Sequence, residues 1–339
     1  MVFVGGDGAG GGSSGVSGPP SGSVLKRVGG GALVLGAATI VMVIVASAVG
    51  PFNIPISHTV STLLDLIGIG DSTAEPTERA IIQSIRLPRI FLAFLVGSAL
   101  GISGGIMQGL FRNSMADPGI IGVSSGGATG AVAAIASGAS TVSTLFLPLF
   151  AFIGSGVAMA AVFLIASTGG RFSMMTLLLG GIAVGSFLGA ITTATIVLTD
   201  NLTVQRQIIF WIAGGMDTAR WESVRIAAPI IVTGALIAVF VARDLNLLLV
   251  GEDEARALGV RVTLVRNTLL VTASLITGAA VAFSGIIAFV GLIVPHVVRL
   301  VVGADHRVLL PLSALAGGLF LLIADTAARG VLSPAELRG

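Results

Sequence analysis

Few residues in this chain are of types that carry out chemistry. Its 339 residues include three histidines, no cysteine, and Lys26 as the single lysine. Disulfides, thiolate metal sites and thiol redox chemistry are therefore excluded. Lys26 lacks the preceding glycine pattern of a Walker A loop, so the chain is not itself a P-loop ATPase. His58, His296 and His306 have no second histidine or carboxylate at ligand spacing, and we predict no metal site and no cofactor.

Two charged segments remain as candidates for binding. The segment 86–89 reads RLPR, and its two arginines can meet either lipid phosphates or the carboxylates of a docking protein. The segment 243–267 reads RDLNLLLVGEDEARALGVRVTLVRN and is predicted to be the longest internal loop. Acidic residues begin a short helix within it, and Gly259 ends that helix. This helix is either a solvated loop helix or a contact for another protein.

Composition indicates the environment of these segments. The chain is 54% hydrophobic and 10% charged, with a mean hydropathy of +1.04. Soluble domains carry about 25% charged residues, so we predict an all-α polytopic membrane protein. The net charge of +2 is spread over scattered basic residues, which does not indicate nucleic-acid binding. Residues 1–30 are predicted to be a disordered Gly/Ser-rich tail, and Lys26 with Arg27 places the amino end inside.

About nine transmembrane helices are predicted from the apolar runs, with a mixed external segment at 51–84 that includes a short amphipathic helix. The predicted spans are 31–50, 88–110, 119–138, 145–167, 176–198, 224–242, 267–284, 286–302 and 308–327.

Glycines recur every four residues in three of these spans. Residues four apart share one helix face, and a glycine face lets a second helix approach closely inside a bilayer. We therefore expect helix packing at Gly97, Gly101, Gly105, Gly109, Gly122, Gly126, Gly130, Gly181, Gly185 and Gly189.

Several long segments resemble the FecCD family of ABC importer permeases. They are RLPR (86–89), GSALGISGGIMQGLFRNSMADPGIIGVSSGG (97–127), LLLGGIAVG (177–185), FWIAGGMDTARW (210–221), GEDEARALGV (251–260), SGIIAFVGLIVPHVVRLVVGADHRVLLP (284–311), and ADTAAR followed by SPAEL (324–337). The resemblance covers nearly everything after residue 30, so residues 31–339 are expected to form one permease domain in the plasma or inner membrane.

The resemblance implies partners and roles. A second permease subunit, identical or different, two ATP-binding subunits and an extracytoplasmic substrate-binding protein are expected, and ATP is hydrolysed by the partner rather than by this chain. Docking of the binding protein is expected at Arg86, Arg89 and Arg329. Coupling to the ATPase is expected at Gly251, Glu252, Arg256, Leu258 and Gly259. The inner gate is expected at Ser173, Met174 and Met175.

The resemblance also gives an expected cargo and an expected number of helices. A ferric siderophore is the expected cargo, and cobalamin and haem stay open. A secondary transporter or channel, or a membrane subunit with no transport role, are the alternatives from other classes. The family has ten helices, and since this chain stops at Gly339 we expect it to lack the last one.

Overall fold

The computed structural model describes residues 21–168 and 172–332. The helices, in chain order, are α1 (Ser21–Ala48), α2 (Ile56–Leu66), α3 (Pro76–Ile81), α4 (Leu87–Leu110), α5 (Val123–Ala136), α6 (Ala139–Val142), α7 (Phe146–Ser167), α8 (Met174–Leu198), α9 (Leu202–Ala213), α10 (Trp221–Val250), α11 (Glu252–Ala257), α12 (Val262–Ser284), α13 (Val290–Val302) and α14 (His306–Leu332). A π-helical turn, Ile82–Arg86, joins α3 to α4, and a 3-10 turn, Pro118–Ile121, precedes α5. No strand occurs in these two ranges, and the all-α prediction is confirmed.

Seven helices in the described part of the chain are long and apolar enough to cross a bilayer. They are α1, the joined α3 and α4, α7, α8, α10, α12 and α14. Helices α5 and α13 are apolar but have only 14 and 13 residues. Thirteen residues rise about 20 Å, whereas a bilayer core is about 30 Å thick. The predicted span at 286–302 is therefore a shorter helix that does not cross the bilayer alone.

The reason for this shorter helix is a break between α12 and α13. Gly285 and Phe289 have φ angles of 67° and 68°, in the left-handed region that interrupts an α-helix. Backbone that leaves a helix at membrane depth must find its hydrogen-bond partners within the protein. Here the amide of Gly215 donates to the carbonyl of Ser284 at 2.8 Å. A Cβ atom at Gly285 would overlap the carbonyl oxygen of Trp211, so the segment 210–215 lies directly against the break.

Two predicted boundaries shift because helices continue beyond their apolar runs. Helix α10 extends to Val250, so residues 243–250 are helical rather than part of the predicted 243–267 loop. Helix α1 begins at Ser21, so residues 21–30 are helical although we assigned them to the tail. Hydropathy marks where lipid ends, but it does not mark where a helix ends, and residues such as Arg243 and Leu247, with good helix propensity, continue α10 beyond its apolar run. Residues 1–20 and 333–339, including the SPAEL segment, lie outside the described residues.

Helix α4 lies at the centre of the bundle and packs against α10, α12, α13 and α14. Most of its most apolar stretch is buried, whereas the equivalent stretch of α1 contains no fully buried residue. Helix α1 packs chiefly along α14 and presents Leu33, Val34 and Ile40 outward. Since these side chains are apolar and uncovered, α1 suits the lipid-facing edge of the bundle.

The glycine faces of α4 and α5 lie against the backbones of other helices. A Cβ at Gly97 would overlap the carbonyl oxygen of Gly317 on α14, and one at Gly101 would overlap that of Ser313. Gly105 and Gly109 lie against the side chains of Leu310 and His306. On α5, Gly126 and Gly130 approach the carbonyl oxygens of Gly154 and Phe150 on α7. Gly122, with a φ of 82°, ends the 3-10 turn.

The third set of glycines spaced four residues apart, on α8, is closely packed at one end only. Gly181 lies against the carbonyl oxygen of Ile120, and Gly185 lies near Ser125. A Cβ at Gly189 would meet nothing within 4 Å. Helix α8 therefore packs closely at Gly181 and Gly185, and its face at Gly189 is open within this chain.

Candidate functional site

The outer ends of α4 and α14 are joined by an ion-pair cluster around a buried carboxylate, which we call the outer cluster (Arg89, Asp325 and Arg329). Arg89 donates to both carboxylate oxygens of Asp325 at distances of 2.9–3.1 Å. The Nε atom of Arg329 lies 3.2 Å from Asp325 Oδ2, one helical turn away. The Asp325 side chain is 8% exposed, so one buried carboxylate serves two arginines. Asp325 and Arg329 are four residues apart on one helix, a local spacing that favours pairing, whereas Arg89 and Asp325 lie 236 positions apart.

Arg86, in the π-helical turn, lies at the same end of the molecule. Its guanidinium donates to the carbonyl oxygens of Ser47 at the end of α1 and of Phe52 beyond it. Arg86 and Arg329 are both buried within the chain. Their predicted contact with a docking protein stays a prediction, and any such contact requires these side chains to become accessible.

Arg89 also reaches an acidic residue that sequence reasoning missed. Its Nη1 atom lies 3.0 Å from Asp217, whose side chain is 75% exposed. Asp217 belongs to the turn after α9 and lines an outer cavity of about 570 Å³ together with Trp211, Arg220 and Phe283. No local pattern in FWIAGGMDTARW indicates that Asp217 contacts Arg89, so this pair could be found only from the tertiary structure.

A second cavity, of about 780 Å³, opens at the inner side between the end of α4 and the start of α8. Its lining includes Arg112, Asn113, Ser125, Met174 and Met175. The two methionines of the predicted inner gate therefore lie in its wall. Ser173, the third predicted gate residue, accepts a hydrogen bond from the amide of Thr176 at 3.2 Å and caps α8.

Asp117 and Pro118 begin the 3-10 turn beside this inner cavity. The carboxylate of Asp117 accepts a hydrogen bond from the amide of Gly119 at 2.7 Å. Burial raises the pKa of Asp117 above its ordinary value, while that hydrogen bond opposes the shift. The predicted span 119–138 thus opens with a 3-10 turn, and α5 itself begins at Val123.

The predicted coupling residues form a charged, water-exposed surface. In α11, Arg256 donates to Asp253 at 2.7 Å and to Glu252 at 3.1 Å. The Arg256 side chain is 55% exposed and Leu258 is also exposed. Gly259 has a φ of 84°, which suits its predicted role as the stop of this helix. Glu252 also pairs with Arg266 of α12 at 3.2 Å.

A hydrogen-bonded group of polar residues, which we call the polar node (Asn246, Asp305 and His306), joins α10 to α14 at the inner end. Asn246 donates to Asp305 at 2.7 Å and accepts from the amide of His306 at 2.9 Å. Hydrogen bonding from Arg307, with a smaller contribution from Asn246, lowers the pKa of Asp305 to about 2. The His306 ring is buried against Gly109, so the node connects α10, α14 and α4. No sequence pattern links Asn246 to residues about 60 positions away.

Comparison with known proteins identifies the family. A model of the FecCD transport family matches residues 38–338. The cobalamin import system permease protein BtuC of Halobacterium salinarum is 49% identical over 253 residues, covering 75% of this chain and 68% of that protein. The hemin transport system permease protein HmuU of Yersinia pestis is 42% identical over 257 residues, covering 75% of this chain and 76% of that protein. Other relatives are named as permeases for iron(3+)-hydroxamate and Fe(3+) dicitrate.

The fold agrees with this family. A solved structure of an ABC transporter of metal-chelate type, in an inward-facing conformation, matches with a TM-score of 0.77 and 30% identity, covering 88% of this chain and 90% of that chain. The predictions of family, fold class and membrane location are confirmed. The chain therefore belongs to the FecCD transport family and is a multi-pass membrane permease of the ABC importer type.

Proposed function

We propose that this permease carries a ferric siderophore across the membrane, driven by ATP hydrolysis in a separate subunit. The observation that carries the proposal is the inner cavity of about 780 Å³, whose lining residue Arg112 donates a hydrogen bond to the carbonyl of Leu248 near the end of α10, just before the exposed helix α11. This volume is in the range of sites for whole small molecules, as a chelate requires. Relatives named for iron(3+)-hydroxamate and iron citrate transport support an iron chelate.

A second permease subunit would complete this cavity. Helix α8 lines it with Ile182 and Ser186, and its apolar side chains Leu179 and Phe187 are exposed within the single chain. An uncovered apolar helix face that borders a cavity suits a protein neighbour on one side and lipid on the other. We propose that the pathway runs between two such faces, from an identical or a different permease.

The ATPase would contact α11. Arg256 and Leu258 are exposed there, and Gly251 and Gly259 bound the helix. Nucleotide-driven movement of the ATPases would displace α11 and rock the two permease halves around the pathway. Ser173, Met174 and Met175, at the mouth of the cavity, would form the inner gate.

The binding protein would dock at the outer end, near Arg89 and Asp217. Acidic residues on its lobes would meet the outer arginines, with Arg89 the member of the predicted set that already contacts an exposed carboxylate. Docking at Arg86 and Arg329 would follow only after rearrangement, because both are buried in the described chain.

Cobalamin is the second candidate cargo, and one observation favours it. The relative from Halobacterium salinarum, at 49% identity, is named for cobalamin import. Haem stays a third possibility because of the relative from Yersinia pestis.

Uptake in cells lacking this gene, complemented with the chain, tests the proposal. Radiolabelled ferric hydroxamate, cobalamin and haem would be supplied separately, with either ATP depletion or a protonophore. We expect ferric hydroxamate uptake that ATP depletion abolishes and the protonophore alone does not. Uptake of cobalamin only would show that cobalamin, rather than a ferric siderophore, is the cargo, and would leave the ATP-driven mechanism in place. Uptake that follows the proton gradient, with no ATPase co-purifying, would favour a secondary transporter and contradict the proposal.

A further inference from the structure

A continuous line of contacts leads from α11 to the mouth of the inner cavity. Glu252 shares its carboxylate between two arginines: Oε2 faces the exposed Arg256, and Oε1 faces Arg266 on α12 at 3.2 Å. The guanidinium carbon of Arg266 lies 4.5 Å from the centre of the Phe172 ring. Phe172 directly precedes Ser173, the residue that caps α8. Met174 and Met175 follow and line the cavity.

Arg266 is suited to join these two sides. Its side chain is 11% exposed, in contrast to the 55% of Arg256, so its contacts are shielded from water. An arginine can donate hydrogen bonds from the edge of its guanidinium while stacking its flat face on an aromatic ring. A lysine in this place could keep the charge but could not make both contacts at once.

Phe172 also contacts helix α7. The ring of Phe163 on α7 lies 5.6 Å from it at an angle of 51°. The amide of Ser173 donates to the carbonyl of Ala166 at 3.3 Å. The start of α8 is therefore held between α7 and the Arg266 guanidinium, and a movement of Arg266 would change the position of that start.

We infer that Arg266 is the positioning residue that transmits displacement of α11 to the inner gate through Phe172. The inference rests on the proposed function, since it requires an ATPase acting on α11 and a gate at Met174 and Met175. It adds a route between the two, made of the contacts from Glu252 through Arg266 and Phe172 to the start of α8. When the ATPase moves α11, Glu252 draws the guanidinium, and the stacked ring moves the first turn of α8.

The absence of cysteine makes this route directly testable. Met175, which is exposed in the cavity wall, is changed to cysteine, and the complex is purified through a tag on this chain. The rate of fluorescein-maleimide labelling is measured with and without ATP plus orthovanadate. Arg266→Lys and Phe172→Leu are then added singly and together. Arg261→Lys is the matched control, because Arg261 lies at the same end of α12 but is exposed.

We expect the nucleotide-dependent change in labelling to fall by about fivefold or more in Arg266→Lys and in Phe172→Leu. The double variant should be no worse than either single variant, because both substitutions interrupt one route. ATP hydrolysis should continue and Arg261→Lys should behave as the parent. A purely structural role for Arg266 would instead lower yield and hydrolysis together.

The outcomes separate the inference from the proposed function. If the Met175→Cys parent shows no nucleotide-dependent labelling, or no ATPase co-purifies, the proposed coupling and gate fail and the inference falls with them. If the parent responds and both Arg266→Lys and Phe172→Leu respond equally well, the route is wrong while the proposed function stands. Additive effects in the double variant would also overturn it. Should Arg266→Lys fail to fold, Phe172→Leu alone decides between these outcomes.

Discussion

The two ends of the molecule both join arginines to carboxylates, but water reaches those pairs to very different extents. At the outer end, Asp325 is 8% exposed and holds Arg89 and Arg329 between α4 and α14. At the inner end, Asp253 of α11 is 91% exposed and pairs with Arg256 on the same short helix. The pairs of Asp325 thus join two separate helices, whereas the pair of Asp253 with Arg256 lies within one short helix.

This difference has energetic consequences. Removing one partner of a buried pair leaves an uncompensated charge, whereas an exposed pair contributes little. The outer cluster should therefore stabilise the bundle, and the surface of α11 should be free to exchange its pairs for those of a partner protein. Burial, rather than residue type, thus separates the ion pairs that should hold helices together from those that should be free to change partners.

The largest effect is expected at Asp325. Asp325→Asn removes the charge that Arg89 and Arg329 share, so the free energy of unfolding should fall by about 3 kcal/mol or more. Unfolding in mixed detergent micelles measures this loss. Asp217→Asn is the matched control: it also removes a carboxylate from Arg89, but an exposed one, and should cost less than about 1 kcal/mol. Equal losses in the two variants would show that burial does not distinguish them.

A second, smaller effect concerns the packing of the same two helices. Gly97→Ala places a methyl group against the carbonyl oxygen of Gly317, which forces α4 and α14 apart and should cost about 1–3 kcal/mol. Gly189→Ala adds the same methyl group where nothing lies within 4 Å and should be neutral or slightly stabilising, by about 0–1 kcal/mol. Thermal unfolding in detergent compares them. Two equal losses would mean that close backbone approach does not hold the outer half together.

Local patterns in the sequence predicted several of these features. The four-residue glycine spacing indicated the faces on α4 and α5, and the acidic start and Gly259 indicated α11. These signals act within a few residues of chain, where helix geometry alone decides which side chains share a face. The family resemblance added the functional expectations that periodicity could not supply.

Other features depend on contacts that no local pattern encodes. Arg89 and Asp325 meet only because α4 packs against α14, and Asn246 reaches His306 only because α10 packs beside them. The break at 285–289 falls where two predicted spans, 267–284 and 286–302, nearly touch, because hydropathy marks the apolar runs but not the irregular backbone between them. It is stable because Gly215 supplies a hydrogen bond to Ser284 from a segment about 70 residues earlier, information that only the tertiary structure contains.

The exposed inner end predicts a small stability effect with a large functional one. Arg256→Ala should change the free energy of unfolding by less than about 1 kcal/mol, because its pairs with Glu252 and Asp253 are exposed. ATP-dependent uptake should nevertheless fall by about fivefold or more if α11 contacts the ATPase. Arg225→Ala, an exposed arginine on α10 at the outer end, is the control and should leave uptake unchanged. Loss of stability that parallels the loss of uptake would contradict this separation.

A pH-dependent effect on stability is expected at Asp305, whose side-chain exposure lies between those of Asp325 and Asp253. Its pKa is lowered to about 2, chiefly by the hydrogen bond from Arg307, so the ionised carboxylate stabilises the fold. A lowered pKa gives stability that is complete above the ordinary carboxylate range, near pH 4, and is lost as the pH falls towards about 2. Asp305→Asn should therefore lower the free energy of unfolding near neutral pH by at most about 2 kcal/mol, the value that a shift of about two pKa units implies. The difference from the parent should shrink as the pH approaches 2, because the parent then loses the same charge. A difference that stays constant over that interval would mean that the Asp305→Asn variant is destabilised by packing of its amide group, and that the charge of Asp305 contributes nothing to the junction of α10 and α14.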